Sequence, residues 1–425
     1  MSAPLPRPPE GAPHVLVGNV FFAPNSYGGA TIVAEEVARA LQARHGWQVS
    51  AVSAISRRDL PDYALRRAQS GAIASYLINL PERRDAVQMY DNPRVGEILA
   101  RLIRSLAPDL LHLHCLQELG VAPLEAARAA GLPTVLSVHD FWWICERQFM
   151  IRPDGRYCAQ DPVRIEACQR CGPDLGPMRH RQDRLRAAAS AAALMTFPSD
   201  FARTLCLASG LVPPRAEVWR NGITLPGPGF FARQARRRAE DPRLVFGFCG
   251  GPSELKGWPL IRSAFAGLNR RDFRVVLADG ALRDSWWRGI DLRALPGDWR
   301  VHPRYSQAGM DEFWSGIDVL LFPSQWKETF GLTLREALAR GIRVIQTDSG
   351  GTMEHSGPDR DRALPLGAPA SALQQEILFA LRRPDRLAPP VPVDSFADQA
   401  DRFVALTAPL LEARPHPARP LRLLP

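Results

Sequence analysis

Apolar residues recur along this chain in two alternating patterns, short β-rich runs and longer stretches with helical spacing. The first run, "HVLVGNVFF" over residues 14–22, is followed by a turn with two glycines, "PNSYGGA". Then comes a segment where Ile32, Val33, Val37, Ala40 and Leu41 keep near-helical spacing up to a stop at Gly46. The next run, residues 47–55, predicts a second strand, so the chain opens with a βαβ unit. Strand-like runs at 109–116, 133–140 and 193–199 extend this into a parallel α/β domain.

A second series begins at 243–251 ("RLVFGFCGG") and continues at 273–280, 318–324 and 343–351. It repeats the first architecture. Between the two, residues 221–243 are rich in Gly, Pro and Arg and read as a linker or hinge. A Pro-rich break at 386–394 precedes a last predicted helix. The expected organisation is therefore an N-terminal domain over 14–222, a linker over 223–242, a C-terminal domain over 243–394, and a helix over 395–413 that packs back on the N-terminal domain. A length of 425 residues agrees, being more than one core usually supports.

Composition narrows the class. Hydrophobic residues make up 46% and charged residues 23%, the balance of a soluble globular protein. No apolar run approaches the roughly 20 residues of a membrane span, and the Pro-rich start lacks the apolar core of a signal peptide, which predicts a cytoplasmic location. The net charge of +9 suits anionic partners. Its arginines are scattered through helical stretches and not interleaved with aromatics, which argues for solvated helix faces and against nucleic acid. The same basic surface predicts reversible association with the inner, anionic face of a membrane, at about 1 kcal/mol per nearby Lys or Arg.

Ligands of doubly wound sheets bind outside the strand carboxyl ends, and the unusual residues of this chain fall there. The densest group is "PSQWKETFGLTLREALARG" over 323–341, with Glu328 and Glu336 separated by seven residues. Glu328 falls in a loop and Glu336 near the start of the helix that follows. A loop that feeds the amides of Thr329, Phe330, Gly331 and Leu332 into a helix amino end makes a diphosphate cradle, and a nearby carboxylate can bind ribose hydroxyls.

This segment resembles the E-x7-E region of retaining GT-B glycosyltransferases of family 4. The resemblance runs through most of the chain. "YGGA" (27–30) is similar to that family's glycine loop, "VHD" (138–140) to its active-site His loop and "WRNGI" (219–223) to its Asn-Gly segment. "CGGPSELKGW" (249–258) resembles its phosphate clamp, and "TDSGGTMEH" (347–355) its Gly-Gly-x-x-Glu loop. The resemblance implies a GT-B fold: two Rossmann-like domains whose parallel sheets face a central cleft. It also implies transfer of a hexose from a UDP-, GDP- or ADP-sugar to a glycan or lipid-linked acceptor, with retention and without a catalytic metal. Carried over residue by residue, Glu336 holds the donor ribose, Glu328 sits at the transferring sugar, and the Phe330, Gly331 and Leu332 amides face the diphosphate. Lys256 neutralises the leaving diphosphate. Gly28, Gly29, Gly350, Gly351 and Glu354 belong to the donor site, and His139 contacts the donor sugar.

One departure stands out, since Gly251 occupies a place where the family has Arg. Either another cation such as Arg262 supplies the charge or catalysis is weakened, by about 2 to 4 kcal/mol. The rival readings are a GT-B-like sugar-nucleotide epimerase and a catalytically silent scaffold that binds a sugar nucleotide or glycan. Taken singly, Glu336 also reads as a solvated i to i+4 partner of Arg340. His112 and His114 alternate in a strand and read as structural, while Ser199 and Ser324 read as caps. Four of the seven cysteines, Cys145, Cys158, Cys168 and Cys171, follow the pattern C-x12-C-x9-C-x2-C. That pattern is compatible with a four-thiolate structural zinc that braces the His139 loop, and equally with four buried thiols.

Overall fold

A strand covered on both faces has no polar side to show, and β1 (His14–Gly18) is buried along its whole length. It leads to α1 (Gly29–His45), which buries Val33, Val37 and Leu41 and stops at Gly46, whose left-handed backbone lets its amide close onto Gln42 O. Next come β2 (Gln48–Ile55), β3 (Leu65–Ser70), β4 (Ile73–Asn79), α2 (Pro93–Leu106) and β5 (Leu110–Leu113). They are followed by α3 (Ala122–Ala129), β6 (Thr134–Ser137), α4 (Gly176–Ala189), β7 (Leu194–Phe197), α5 (Asp200–Ala208) and β8 (Ala216–Val218). The eight strands form one sheet in the order β3-β4-β2-β1-β5-β6-β7-β8, parallel except for β3 against β4. Sequence reading does not find β3, β4 or β8. The reason for β3 is plain: it is a mostly exposed edge strand carrying Arg66 and Arg67, charges that keep such an edge from pairing further.

The computed structural model describes residues 11–383 and 387–413. The start of the Pro-rich leader, residue 386 of the Pro-rich break and the Pro- and Arg-rich end lie outside the described residues. The second half runs α6 (Phe230–Glu240), β9 (Leu244–Phe248), α7 (Trp258–Ala266), β10 (Phe273–Ala278), β11 (Asp298–His302) and α8 (Met310–Ser315). It continues with β12 (Val319–Phe322), α9 (Leu332–Ala339), β13 (Arg343–Gln346) and α10 (Ala370–Arg382). Its five parallel strands take the doubly wound order β11-β10-β9-β12-β13, so the strand order reverses between β9 and β12.

The chain divides into two packed units. One holds the described residues up to Gln148, Gln160–Gly222 and the last helix; the other holds Phe149–Ala159 and Ile223–Ser395. The stretch read as a linker is corrected by α6, which belongs to the second unit. Composition suggested a hinge, but the Asp318 carboxylate, fully buried, receives Arg237 at 2.7 Å, Arg238 at 2.7 Å and the Val245 amide at 2.9 Å. Those bonds fasten α6 to the start of β9 and β12.

The last helix, α11 (Phe396–Glu412), packs in the first unit against α1. Phe403 stacks on His112 of β5 with centroids 4.4 Å apart and lies 5.3 Å from Trp219. Gln399 accepts from Trp219 Nε1 through its carbonyl and from the Gly222 amide through its side chain. Because Phe403 has no exposed surface, Phe403→Ala is expected to lower the stability of the first unit by about 3–5 kcal/mol in urea unfolding. A loss below about 1 kcal/mol would mean that α11 adds little to that core.

Candidate active site

Three loops of the second unit meet at Glu328. The loop after β12 carries it, and its carboxylate is buried with Oε1 accepting from Ser324 Oγ at 2.7 Å and from Lys256 Nζ at 2.7 Å. Lys256 comes from the loop after β9. The loop after β13 joins by backbone, with Glu328 N donating to Ser349 O at 3.0 Å and Gly351 N donating to Glu328 O at 2.9 Å. Lys256 also lies 5.6 Å from the Trp326 ring, which Phe149 meets edge-on at 4.9 Å.

Just beyond this junction α9 begins. Gly331 caps it in the left-handed region at φ 81°, where a Cβ would come 2.8 Å from Thr352. No side chain caps the helix, so its first amides point out of the first turn as an anion site. A cavity opens at the same place, lined by Gly250, Lys256, Ser324 and Thr333. It lies at the β9–β12 reversal, where a doubly wound sheet binds its ligand. Arg335, nearly fully buried, holds the Gly350–Glu354 loop against α9 by donating to Gly351 O, Thr352 O and Glu354 O at 2.9 to 3.1 Å. Its guanidinium also covers the Phe330 ring at 4.8 Å.

Glu336 sits one turn further along α9, and its environment excludes the solvated reading. The residue is 7% exposed. Arg340, the assumed partner, is itself buried and spends its guanidinium on Asp311 at 2.7 and 3.0 Å and on the Glu336 carbonyl. Among the described residues no group hydrogen-bonds the Glu336 carboxylate. Burial pushes its pKa up from the usual carboxylate range to about 7, against the pull of Arg340. The same burial raises the neighbouring Cys249 thiol and Tyr305 hydroxyl. A buried carboxylate short of partners is suited to accept hydrogen bonds from ligand hydroxyls.

The place of the expected Arg is filled by an aromatic ring. Gly251 has φ 63°, and a Cβ there would lie 2.8 Å from Trp286; one on Gly280 would lie 2.2 Å from the same ring. Arg262 is exposed on α7 and does not line the cavity, so it is no substitute cation.

In the first unit the predicted residues lie at the β1–β5 reversal. Asn19, just past β1, accepts from the Cys115 amide and donates to Thr31, which anchors the start of α1 behind Gly28 and Gly29. Gly28 needs its glycine, since φ is 85°. His139, just past β6, has Nε2 2.8 Å from His114 Nδ1. Below it, Asp140 accepts from Trp142 N, Gln117 and Gln148, fixing the loop's path. Among the described residues no three His, Cys, Asp or Glu side chains are grouped to hold a metal. Cys168 is engaged locally, with its thiol 3.7 Å from Arg164 O.

Sequence reasoning missed Ser324, Arg335, Trp286 and the His114 contact. Arg335 had a signal, as a cation on the buried stripe of a short apolar helix. Ser199 does cap α5 by accepting from Ala202 N at 3.0 Å.

Two Rossmann-like units, the second with an anion-binding helix end beside a lysine and two buried glutamates, define a protein of the GT-B class. Family models then place it: residues 27–226 match Glycosyltransferase Family 4 and residues 231–386 match Glycosyl transferases group 1. The chain belongs to the glycosyltransferases that these two models describe together. Among solved structures it resembles α,α-trehalose 6-phosphate synthase from Burkholderia multivorans, with TM-score 0.62, 15% identity, and 95% of this chain and 99% of that one covered. It also resembles the catalytic domain of starch synthase IV from Arabidopsis thaliana bound to ADP and acarbose, with TM-score 0.61, 14% identity, and 95% and 100% covered. Anabaena HepE in complex with UDP-glucose aligns with TM-score 0.58 and 14% identity over 94% and 97%. No curated protein sequence matches the chain.

The raised pKa of Glu336 has a consequence for stability. Its folded value of about 7 exceeds the unfolded 4.5, so its neutral form is favoured in the fold. The contribution is complete below pH 4.5 and is lost as pH rises to about 7. Glu336→Gln should therefore be more stable than wild type by about 3 kcal/mol above pH 7, with the gap closing toward pH 4.5. A gap that does not change with pH in denaturant titrations would rule out this burial.

Gly251→Arg should lower stability by about 1–3 kcal/mol, because it strains the left-handed backbone and meets Trp286, and it should not raise turnover. Higher turnover with an unchanged melting temperature would show that Trp286 yields easily.

Proposed function

We propose that this glycosyltransferase moves a hexose from a nucleotide-sugar donor, with retention and without a metal at the reacting centre, to a glycan or lipid-linked acceptor. The observation that carries the reading is the meeting of Lys256 and the amino end of α9 at one cavity, with Glu328 bonded to Lys256 and Glu336 buried on the same helix. The donor diphosphate lies at α9, where helix amides and Lys256 supply the positive charge that a metal gives elsewhere. Lys256 exchanges Glu328 for phosphate oxygens, and Glu336 accepts from the ribose hydroxyls. The bond from the anomeric carbon to the diphosphate breaks, the acceptor oxygen bonds on the same face, and its proton passes to the departing phosphate oxygen. That HepE was solved with UDP-glucose and starch synthase IV with ADP supports a UDP- or ADP-sugar; GDP remains on the panel below. No helix among the described residues is long and apolar enough to cross a membrane. A cytoplasmic enzyme with basic surface would meet a lipid-linked acceptor at the inner face, and nucleic acid has no part in this reading.

A second reading, a sugar-nucleotide or glycan scaffold without turnover, is favoured by Gly251 and the Trp286 ring over it. One experiment separates the two. Incubation with UDP-, GDP- and ADP-hexoses should give thermal stabilisation and slow donor hydrolysis with one of them. Stabilisation without hydrolysis or transfer supports the scaffold. Within the enzyme reading, Glu336→Ala should weaken donor binding about 10- to 100-fold, the loss of hydrogen bonds to a charged group. Glu328→Ala should mainly lower turnover. Calorimetry showing wild-type donor affinity in Glu336→Ala would overturn the ribose role.

A further inference from the structure

Two adjacent tryptophans follow β10 in the second unit, one sealed and one displayed. Trp287 is 4% exposed, donates Nε1 to Ala278 O at 3.1 Å and meets Trp258 edge-on with centroids 4.9 Å apart. It belongs to the core. Trp286 is 37% exposed, on a loop held by Asp279, whose carboxylate accepts from the amides of Ala281 and Trp286 at 3.0 and 3.3 Å. Its six-membered ring lies on two glycines: a Cβ on Gly251 would come within 2.8 Å of it and one on Gly280 within 2.2 Å. Glycine at both positions lets the ring sit directly on backbone.

The ring stands beside the cavity in front of α9. Gly250, the neighbour of Gly251 in the loop after β9, lines that cavity with Lys256 and with Thr333 of α9. Glu336 points the same way along the sheet, since its charge bears on Cys249 at the end of β9 and on Tyr305 after β11. Strand β10 lies between β9 and β11, and Trp286 covers its end at Gly280. A nucleoside whose diphosphate takes the α9 amides and whose ribose takes Glu336 therefore carries its base toward the indole. Glu328, read as the residue at the transferring sugar, lies on the other side of β9 and bonds to the loop after β13.

We infer that Trp286 is the platform on which the nucleobase of the donor stacks, a role that rests on the nucleotide-sugar reading above. Every base has a flat π face, so the ring serves purine and pyrimidine alike and leaves the choice of base to hydrogen bonds elsewhere. The platform also gives the glycine at 251 a purpose. An Arg side chain there would take the ring's seat, so binding that a cation would give the diphosphate is supplied instead at the base.

Calorimetry on the full chain compares UDP, ADP and GDP with inorganic pyrophosphate, which has no base. For each nucleotide that wild type binds, Trp286→Ala and Trp286→Leu should raise Kd about 10- to 100-fold, while Trp286→Phe, which keeps a ring, should stay within about fivefold. Pyrophosphate affinity should not change in any of these variants. Leucine keeps apolar bulk over Gly251 and Gly280 without a π face, so wild-type nucleotide affinity in Trp286→Leu overturns the inference. An equal loss for pyrophosphate also overturns it, by making the ring a mere support of the loop after β9. So does a loss seen with a nucleotide-hexose and not with the free nucleotide, which would put a sugar on the ring. Nucleotides that bind wild type and all variants alike remove the platform and leave the donor reading standing; no nucleotide bound by wild type removes both.

Discussion

The carboxylate of Glu328 is the point on which the second unit's chemistry turns. A buried carboxylate is tolerated only when its charge is answered, and here one cation and one hydroxyl answer it, from Lys256 and Ser324. Since those groups come from the ends of β9 and β12, and its backbone pairs with the loop after β13, one residue ties three loops together. That tie sets the cavity in front of α9 and keeps Lys256 beside the helix's free amides. An ion pair that closes a site this way is also replaceable, because an anion arriving at α9 offers Lys256 a second partner of the same sign.

Around that node, cations are sorted by burial. Arg335 and Arg340 are both nearly sealed, and neither faces the cavity: the first holds the glycine loop, the second binds Asp311. Among the described residues Lys256 is the cation that lines the cavity. Glu336 is left in a dry position without a fixed partner. Its charge is thereby costly in the ligand-free protein and becomes cheaper once hydroxyls donate to it, which couples protonation to ligand binding.

The first unit uses neutral groups for similar ends. His112, His114 and His139 pack side by side, and Ser137 and Thr196 carry hydrogen bonds from His112 to β7. A network of neutral rings fixes direction without the solvation penalty of charge. Its order depends on α11, whose Phe403 presses on His112 from a point nearly 300 residues away in sequence.

Much of this was legible in the sequence. Strands covered on both faces must be apolar throughout, so β1, β2, β5, β9, β12 and β13 announced themselves, and Gly46 marked where α1 stops. Motif order puts Lys256 and Glu328 in loops that follow strands and Glu336 near the start of the next helix. Exposed edge strands such as β3 left no such trace, because half-solvated backbone pairing makes no demand on side-chain pattern. Composition misread α6 as a linker, since the buried Asp318 that holds its arginines lies some 80 residues on. The sequence by itself determined which residues are chemically able to act. Only the tertiary structure decided their neighbours: that Glu336 is dry, that Trp286 stands where Arg was expected, and that His114 touches His139. Protonation, charge and tautomer are set by what lies within a few ångströms in space, and that proximity is not written in residue order.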